Sequence, residues 1–237
     1  MIERAGYLPG LKNKDVDWNK IEFGSLKCPV EVLVPVLTEA QIKELLDRVR
    51  SSARAKLKGR PVNDIVKIID KAVARLLNRE DPFRKKAEYL LPRVTGYDAE
   101  MLRIALTQFL KTFRTPQLMR FLAEDFSNPQ LLDGFQPITK GGFGRAFSPD
   151  ILTHIWAGNV PGLPVWSFVS GLLVKAGSIG KLPSSEPLFA GWFAQVLAEE
   201  EPEIAECFAI VWWKGGDTAN EVNIFSARHY DSDVQLY

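Results

Sequence analysis

Apolar positions along this chain change their period at two places. Residues 1–37 are extended and irregular, with one apolar run, Val30 to Leu37, interrupted by Pro35. A proline removes a ladder donor, so this run reads as an edge strand. Residues 38–130 form a helical region. Behind Thr38 and Gln41, which make a capping box, Ile42, Leu45, Leu46, Val49, Ala53 and Leu57 recur at helical spacing, and Gly59 closes the helix. Pro61 opens a second helix with Ile65, Val66, Ile69, Val73, Leu76 and Leu77 on one stripe. Asp81-Pro82 and Asp98 cap two more, the latter carrying Met101, Leu102, Ala105, Leu106, Phe109 and Phe113, and Thr115-Pro116 starts a fifth.

The period changes again over residues 131–217. Gly141, Gly142 and Gly144 lie near Lys140 and Arg145. A basic, glycine-rich loop can cradle phosphate. No phosphate-loop pattern follows, however, and a turn between two strands fits the pattern better. From Ile151 the chain alternates: a strand to Ala157, a buried helix from Leu163 to Ala176, a strand from Ser178 to Leu182, a helix from Pro187 to Glu199, and a strand from Cys207 to Trp213. Glu186 sits near the start of the second helix, where a carboxylate suits the dipole. This β-α-β-α-β order predicts an α/β fold with a parallel, Rossmann-like sheet and right-handed crossovers. Such half-sheets bind nucleotides beyond the carboxyl ends of their strands. The tail, residues 218–237, is polar and unpatterned, so the expected sheet has three strands and an open edge.

Composition narrows the function classes. Lys plus Arg is 30 against 29 for Asp plus Glu, which provides no field for steering onto nucleic acid or acidic lipid. With two cysteines, Cys28 and Cys207, and two histidines, neither a zinc site nor a disulfide framework is expected, and a reducing, cytoplasmic setting is. No apolar stretch has the length of a signal or a membrane span; Val165 to Val174 is short and broken by Ser167, Ser170 and Gly171. The tryptophans Trp156, Trp166, Trp192, Trp212 and Trp213 read as core or interface residues, and His154 as a satisfied structural histidine.

Three blocks carry a resemblance. They are Phe147-Ser148-Pro149 through His154-Ile155-Trp156-Ala157-Gly158-Asn159-Val160-Pro161-Gly162-Leu163-Pro164; Gly180-Lys181-Leu182-Pro183-Ser184-Ser185-Glu186-Pro187-Leu188-Phe189-Ala190; and Val211-Trp212-Trp213-Lys214-Gly215-Gly216-Asp217. In order and spacing they resemble the LuxC-type acyl-CoA reductase family of the aldehyde dehydrogenase superfamily. That family is the fatty acid reductase component supplying aldehyde to bacterial luciferase, together with its non-luminous relatives. The resemblance implies an aldehyde-dehydrogenase-like fold with a cofactor-binding α/β domain, a catalytic domain and an oligomerisation arm. It also implies NADPH-dependent reduction of a long-chain acyl group, held as a cysteine thioester, to fatty aldehyde.

Residue by residue, the resemblance makes Asn159 the oxyanion donor, although Gly158-Asn159 before Val160-Pro161 is also good turn chemistry. It places Lys181 against the adenosine ribose. Ser184 stands where many NAD-preferring relatives carry Glu, which favours NADPH, with Ser185 assisting; the same residues would also serve as a helix start. Gly215 and Gly216 are expected near the pyrophosphate, and no direct contact is expected of Asp217. Neither Cys28 nor Cys207 matches the nucleophile motif. The expectation is therefore the cofactor-side part of a reductase, truncated or split before the nucleophile and inactive alone. An acyl-CoA or acyl-protein donor, acyltransferase and acyl-protein synthetase partners, and a homo-oligomer when complete are implied. A non-catalytic assembly module, docking a partner on the open sheet edge, is the alternative.

Overall fold

A small mixed sheet opens the fold, made by β1 (Ile2–Arg4), β2 (Asp17–Ser25) and β3 (Cys28–Val36) in the order β1-β3-β2. The computed structural model describes residues 1–25, 28–216 and 232–236. The Pro35 strand, expected at an edge, is the middle one. Its register explains why this is tolerated. The amide of Glu31 donates to Met1, and the carbonyl of Leu33 accepts from Ala5, so odd-numbered residues of β3 turn their polar groups toward β1. Pro35 is odd-numbered, but β1 pairs only as far as Leu33. The missing N–H therefore falls where no ladder partner remains.

Five helices follow: α1 (Glu39–Lys56), α2 (Val62–Leu77), α3 (Pro82–Thr95), α4 (Ala99–Lys111) and α5 (Thr115–Phe126). Their starts follow the local chemistry. The Thr38 hydroxyl accepts from the Gln41 amide at 3.3 Å while the Gln41 side chain accepts from Thr38 N at 2.9 Å. Asp81 accepts from Phe83 N at 2.8 Å, and Asp98 from Met101 N at 2.9 Å. The apolar stripes are largely buried, but Leu77 and Phe109 are half-buried and Met101 and Ala105 are exposed: the buried side of α4 runs Leu102, Leu106, Leu110 and on to Phe113. Arg84, fully buried, joins three helices, donating to Leu76 O, Arg103 O, the Thr107 hydroxyl and Glu88.

The glycine-rich loop is a turn. It connects β4 (Gln136–Pro137) and β5 (Phe143–Gly144), with Gly141 and Gly142 both at positive φ. Then come β6 (Ile151–Ile155), α6 (Pro164–Leu173), β7 (Gly177–Lys181), α7 (Phe189–Glu200), β8 (Phe208–Val211) and β9 (Ser232–Leu236). The sheet is parallel, in the order β8-β7-β6-β9. It has a fourth strand, and the expected three-strand sheet is corrected accordingly. β9 pairs along β6, while Tyr7 forms an antiparallel bridge to Ile210 on the outer side of β8. The edge behind the assembly-module reading thus moves outward: β9 takes the place beside β6, one bridge reaches β8, and the outer side of β9 has no partner strand among the described residues. Which segment fills an edge is a non-local matter that periodicity does not contain. Glu221–Phe225, where the family resemblance would start a further helix, lie outside the described residues.

Both sheet faces are covered. Ile151, Ile179, Ala209 and Val211 pack with Ile42, Leu45 and Val49 of α1, while Phe208 and Ile210 join the cluster of α2, α6 and α7. Alternate residues serve opposite layers, as a doubly covered parallel sheet requires. No helix among the described residues is long and apolar enough to cross a membrane.

One contact fixes the course of the chain after β6. Trp156 lies across β7 at Gly180, where an added Cβ would stand 2.0 Å from the indole ring, and its N–H donates to the buried Ser167 hydroxyl at 2.7 Å. Gly180→Ala should therefore destabilise the protein by about 1–3 kcal/mol, the usual cost of forcing volume into a packed core. Urea unfolding will read this as a lower midpoint; an unchanged midpoint would mean that the indole does not cover β7.

Candidate functional site

The sheet order reverses at β6: the crossovers carry the chain outward through β7 to β8, and β9 lies on the other side. In open α/β sheets the crevice beyond the carboxyl ends at such a reversal is where ligands bind. Three segments emerge there, residues 156–163, 182–188 and 212–216, and they hold the three sequence blocks. Backbone bonds join them at the root, from Trp156 N to Lys181 O at 3.2 Å and from Leu182 N to Val211 O at 2.8 Å. Side chains join them further out. The Ser185 hydroxyl donates to Gly158 O at 3.2 Å, and Trp212 Nε1 donates to the Ser184 hydroxyl oxygen at 3.2 Å. The Lys181 ammonium stands 5.7 Å from the centre of the Trp213 ring, a cation–π distance.

Asn159 sits on an exposed bend. Its backbone carbonyl accepts from the Tyr97 hydroxyl at 3.1 Å. The residue lines a cavity of about 280 Å³ together with Trp156, Ala157, Leu163, Pro164, Trp166 and Ser167. Trp166, 37% exposed, packs on Phe113 and Phe121, so the helical region supports the cavity wall. The structure therefore brings Asn159, Ser184 and Ser185 to adjoining, hydrogen-bonded loops, with Lys181 at their base. Gly215 and Gly216 form an exposed turn; Gly216 has φ +81°, and a side chain at either would meet nothing within 4 Å. Asp217 lies outside the described residues. Tyr97 was not indicated by the sequence, because nothing in its neighbourhood distinguishes it from any residue before a helix cap.

The buried polar groups near these loops have unusual surroundings. Glu186 is 2% exposed and accepts from Leu188 N at 2.8 Å and Phe189 N at 2.9 Å, capping α7. Burial pushes its carboxyl up to about 7, against the two amide bonds that pull it down. It is the only carboxylate of the described residues in the three segments, and it is turned inward. His154 is wholly buried and stacks on Trp156, with ring centroids 5.9 Å apart. Its Nε2 is 3.4 Å from the Ser178 hydroxyl, but Nδ1 has no partner among the described residues. The expectation of a satisfied histidine is thus corrected: burial pushes it down to about 4, and a neutral ring tolerates one unpaired nitrogen. Cys207 is buried, and burial pushes its thiol up to about 12, the opposite of an activated nucleophile. Trp156, Trp192, Trp212 and Trp213 are buried, while Trp166 is partly exposed.

Comparison with known proteins gives the following. The model of the family described as Acyl-CoA reductase (LuxC) matches residues 57–231. A curated relative, the long-chain acyl-protein thioester reductase of Photorhabdus luminescens, is 23% identical over 186 residues, covering 77% of this chain and 37% of its own length. Among solved structures, aldehyde dehydrogenase 21 from Physcomitrella patens superposes with TM-score 0.70 at 16% identity, over 99% of this chain and 51% of that one. Salicylaldehyde dehydrogenase from Pseudomonas putida G7 gives 0.71 at 10% identity, over 100% and 46%. The NADP-dependent glyceraldehyde-3-phosphate dehydrogenase of Bacillus halodurans C-125 gives 0.67 at 11%, over 91% and 44%. The fold is thus aldehyde-dehydrogenase-like, and the chain spans about half the length of these structures.

Two outcomes follow from the burial of these groups. Alkylation of the native protein by iodoacetamide, resolved by peptide mass spectrometry, should leave Cys207 unmodified until denaturant is added; prompt native labelling would show the thiol to be accessible. For Glu186, the folded-state pKa lies above the ordinary one. Its contribution to stability is therefore complete below the ordinary pKa of 4.5 and is lost as pH rises through about 7. Glu186→Gln keeps an acceptor oxygen, so its stability relative to the parent should rise between about pH 5 and about pH 8. A difference flat in pH would mean that the carboxyl titrates normally.

Proposed function

The chain belongs to the acyl-CoA reductase (LuxC) family, and from this we propose that it binds NADPH and orients the acyl group in the reduction of a long-chain acyl thioester to fatty aldehyde. The observation that carries the reading is the meeting of three loops at the sheet reversal, with Lys181 and Ser184 in and before one loop and Asn159 in the loop hydrogen-bonded to it.

The residues present fit such a cofactor. The Ser184 oxygen accepts from Trp212, which leaves the serine's own proton to donate to a phosphate or ribose oxygen. Lys181 brings positive charge to the base of the same loop. The one carboxylate of these segments, Glu186, is spent on the amides of α7, so a ribose 2′-phosphate meets no facing negative charge. Gly215 and Gly216 allow close approach of backbone to a pyrophosphate. When bound, NADPH supplies the hydride.

The remaining chemistry falls to the chain's own groups. The Asn159 side-chain amide makes no hydrogen bond to another described residue, and Asn159 lines the cavity. It is available to donate to the acyl oxygen as negative charge develops there, and a fixed donor of this kind stabilises the transition state more than the ground state. Trp156, Leu163 and Trp166 offer the first carbons of the acyl chain an apolar wall. The donor is an acyl-CoA or an acyl-protein, and the acyl group is handled as a cysteine thioester. Cys207, buried with its thiol pushed up, is not the residue that carries it.

Fluorescence titration tests the cofactor reading directly. The protein should bind NADPH more tightly than NADH. Lys181→Ala should raise the Kd for NADPH about tenfold, the loss of about 1.4 kcal/mol. Ser184→Glu should weaken NADPH by at least as much while changing NADH about twofold or less. Equal affinity for the two nucleotides, undisturbed by Ser184→Glu, would overturn the 2′-phosphate assignment.

A further inference from the structure

The turn that presents Asn159 is held in an unusual way. Ala157, Gly158 and Asn159 lie between β6 and α6, and their amides and carbonyls make no backbone–backbone hydrogen bond among the described residues. The turn is anchored behind by Trp156 N to Lys181 O, and ahead by Leu163 N to Val160 O at 3.2 Å. Between these anchors, two side-chain hydroxyls hold two consecutive carbonyls. Ser185, from the loop after β7, donates to Gly158 O at 3.2 Å. Tyr97, from the residues just before α4, donates to Asn159 O at 3.1 Å. The two donors come from opposite sides of the chain, 62 and 27 residues from their partners.

The contact with Ser185 is tight as well as polar. A Cβ on Gly158 would lie 2.0 Å from the Ser185 oxygen and 2.9 Å from Pro183 Cβ. Only glycine lets the two loops approach this closely. The Asn159 side chain meanwhile has no partner of its own among the described residues, so its aim follows from where the backbone places it.

We propose that Tyr97 and Ser185 are positioning residues whose hydroxyls clamp the Gly158–Asn159 turn so that the Asn159 amide is aimed at the reacting oxygen. This rests on the reading of Asn159 as the oxyanion donor. Oxyanion stabilisation depends on donors that need no reorganisation during the reaction. A turn without backbone bonds of its own is poorly suited to that until something external fixes it. Ser185 thereby takes a different part from Ser184: its proton is committed to Gly158, and it acts on chemistry through the turn. Because both serines share one loop, the clamp also joins the cofactor side of the crevice to the acyl side.

The test uses Tyr97→Phe, Ser185→Ala, Asn159→Ala and the double variant of Tyr97→Phe with Asn159→Ala, assayed with tetradecanoyl-CoA and NADPH together with the polypeptide that supplies the cysteine nucleophile. Loss of one oxyanion donor costs about 10²–10³ in kcat; loss of one clamp should cost about tenfold, with KM and the Kd for NADPH in Tyr97→Phe changed by about twofold or less. In the Asn159→Ala background, Tyr97→Phe should cost nothing more, because the group it aims is gone; a merely structural tyrosine would cost the same in both backgrounds. Hydrogen exchange over residues 156–163 should quicken in both clamp variants, a readout that needs no turnover. If Asn159→Ala is inactive while Tyr97→Phe keeps full kcat and unchanged exchange, the clamp is wrong and the oxyanion reading stands. If Asn159→Ala keeps full kcat, both fall.

Discussion

The indole of Trp156 lying on Gly180 is the contact on which the rest of the site depends. It requires that β7 present no side chain at the point where β6 ends, and that a hydroxyl, Ser167, meet the indole N–H inside the core. Given those two conditions, the chain after β6 has one direction in which to leave. Residues 157–162 then pass over the end of β7, where Ser185 reaches Gly158. Two glycines, Gly158 and Gly180, make room for one bulky ring and one serine, and the three sequence blocks become mutually dependent. The cost is borne in the interior. His154, stacked on that same indole, keeps one ring nitrogen without a partner, which is affordable only because burial keeps the ring neutral.

The site is built from contrasts in how polar groups are spent. Glu186 could have faced the crevice; instead it satisfies the first amides of α7, and the crevice keeps Lys181 and a serine with a proton to give. Cys207, the residue just before β8, is closed inside the core. The chemistry that the three loops can offer is therefore binding of an anionic cofactor and donation to a developing oxyanion. That is the share of a reductase's work that the proposed function assigns to them.

What was legible in the sequence was local. Thr38, Asp81 and Asp98 cap helices as their neighbours dictate, and the β-α-β alternation was enough to bring Asn159, Lys181, Ser184 and Ser185 to one end of one sheet. What was not legible depended on partners distant in sequence. Pro35 suggested an edge because a proline lacks a donor, yet the strand is central: the donor is missing only where β1 has already ended. The polar tail gave no pattern for β9, whose pairing with β6 is decided by the vacancy beside that strand. Met101 matched a helical period but fell outside the buried side of α4. Tyr97 has no pattern at all, since its role comes from a carbonyl 62 residues away.

The bridge between Tyr7 and Ile210 has a consequence for how the molecule is made. The edge of β8 is sealed by residues from the opposite end of the chain: Tyr7 exchanges backbone bonds with Ile210, its hydroxyl donates to Ala205 O, and its ring packs on Phe208. Nearby, Glu3 accepts from the Trp192 indole. During synthesis residues 3–7 leave the ribosome long before residues 192–210, their partners, exist. The helices can form as they emerge, but the N-terminal segment must wait until β8 has been added. Contacts of such long sequence separation are slow to close, so a segment made well before β8 is among the last to find its place.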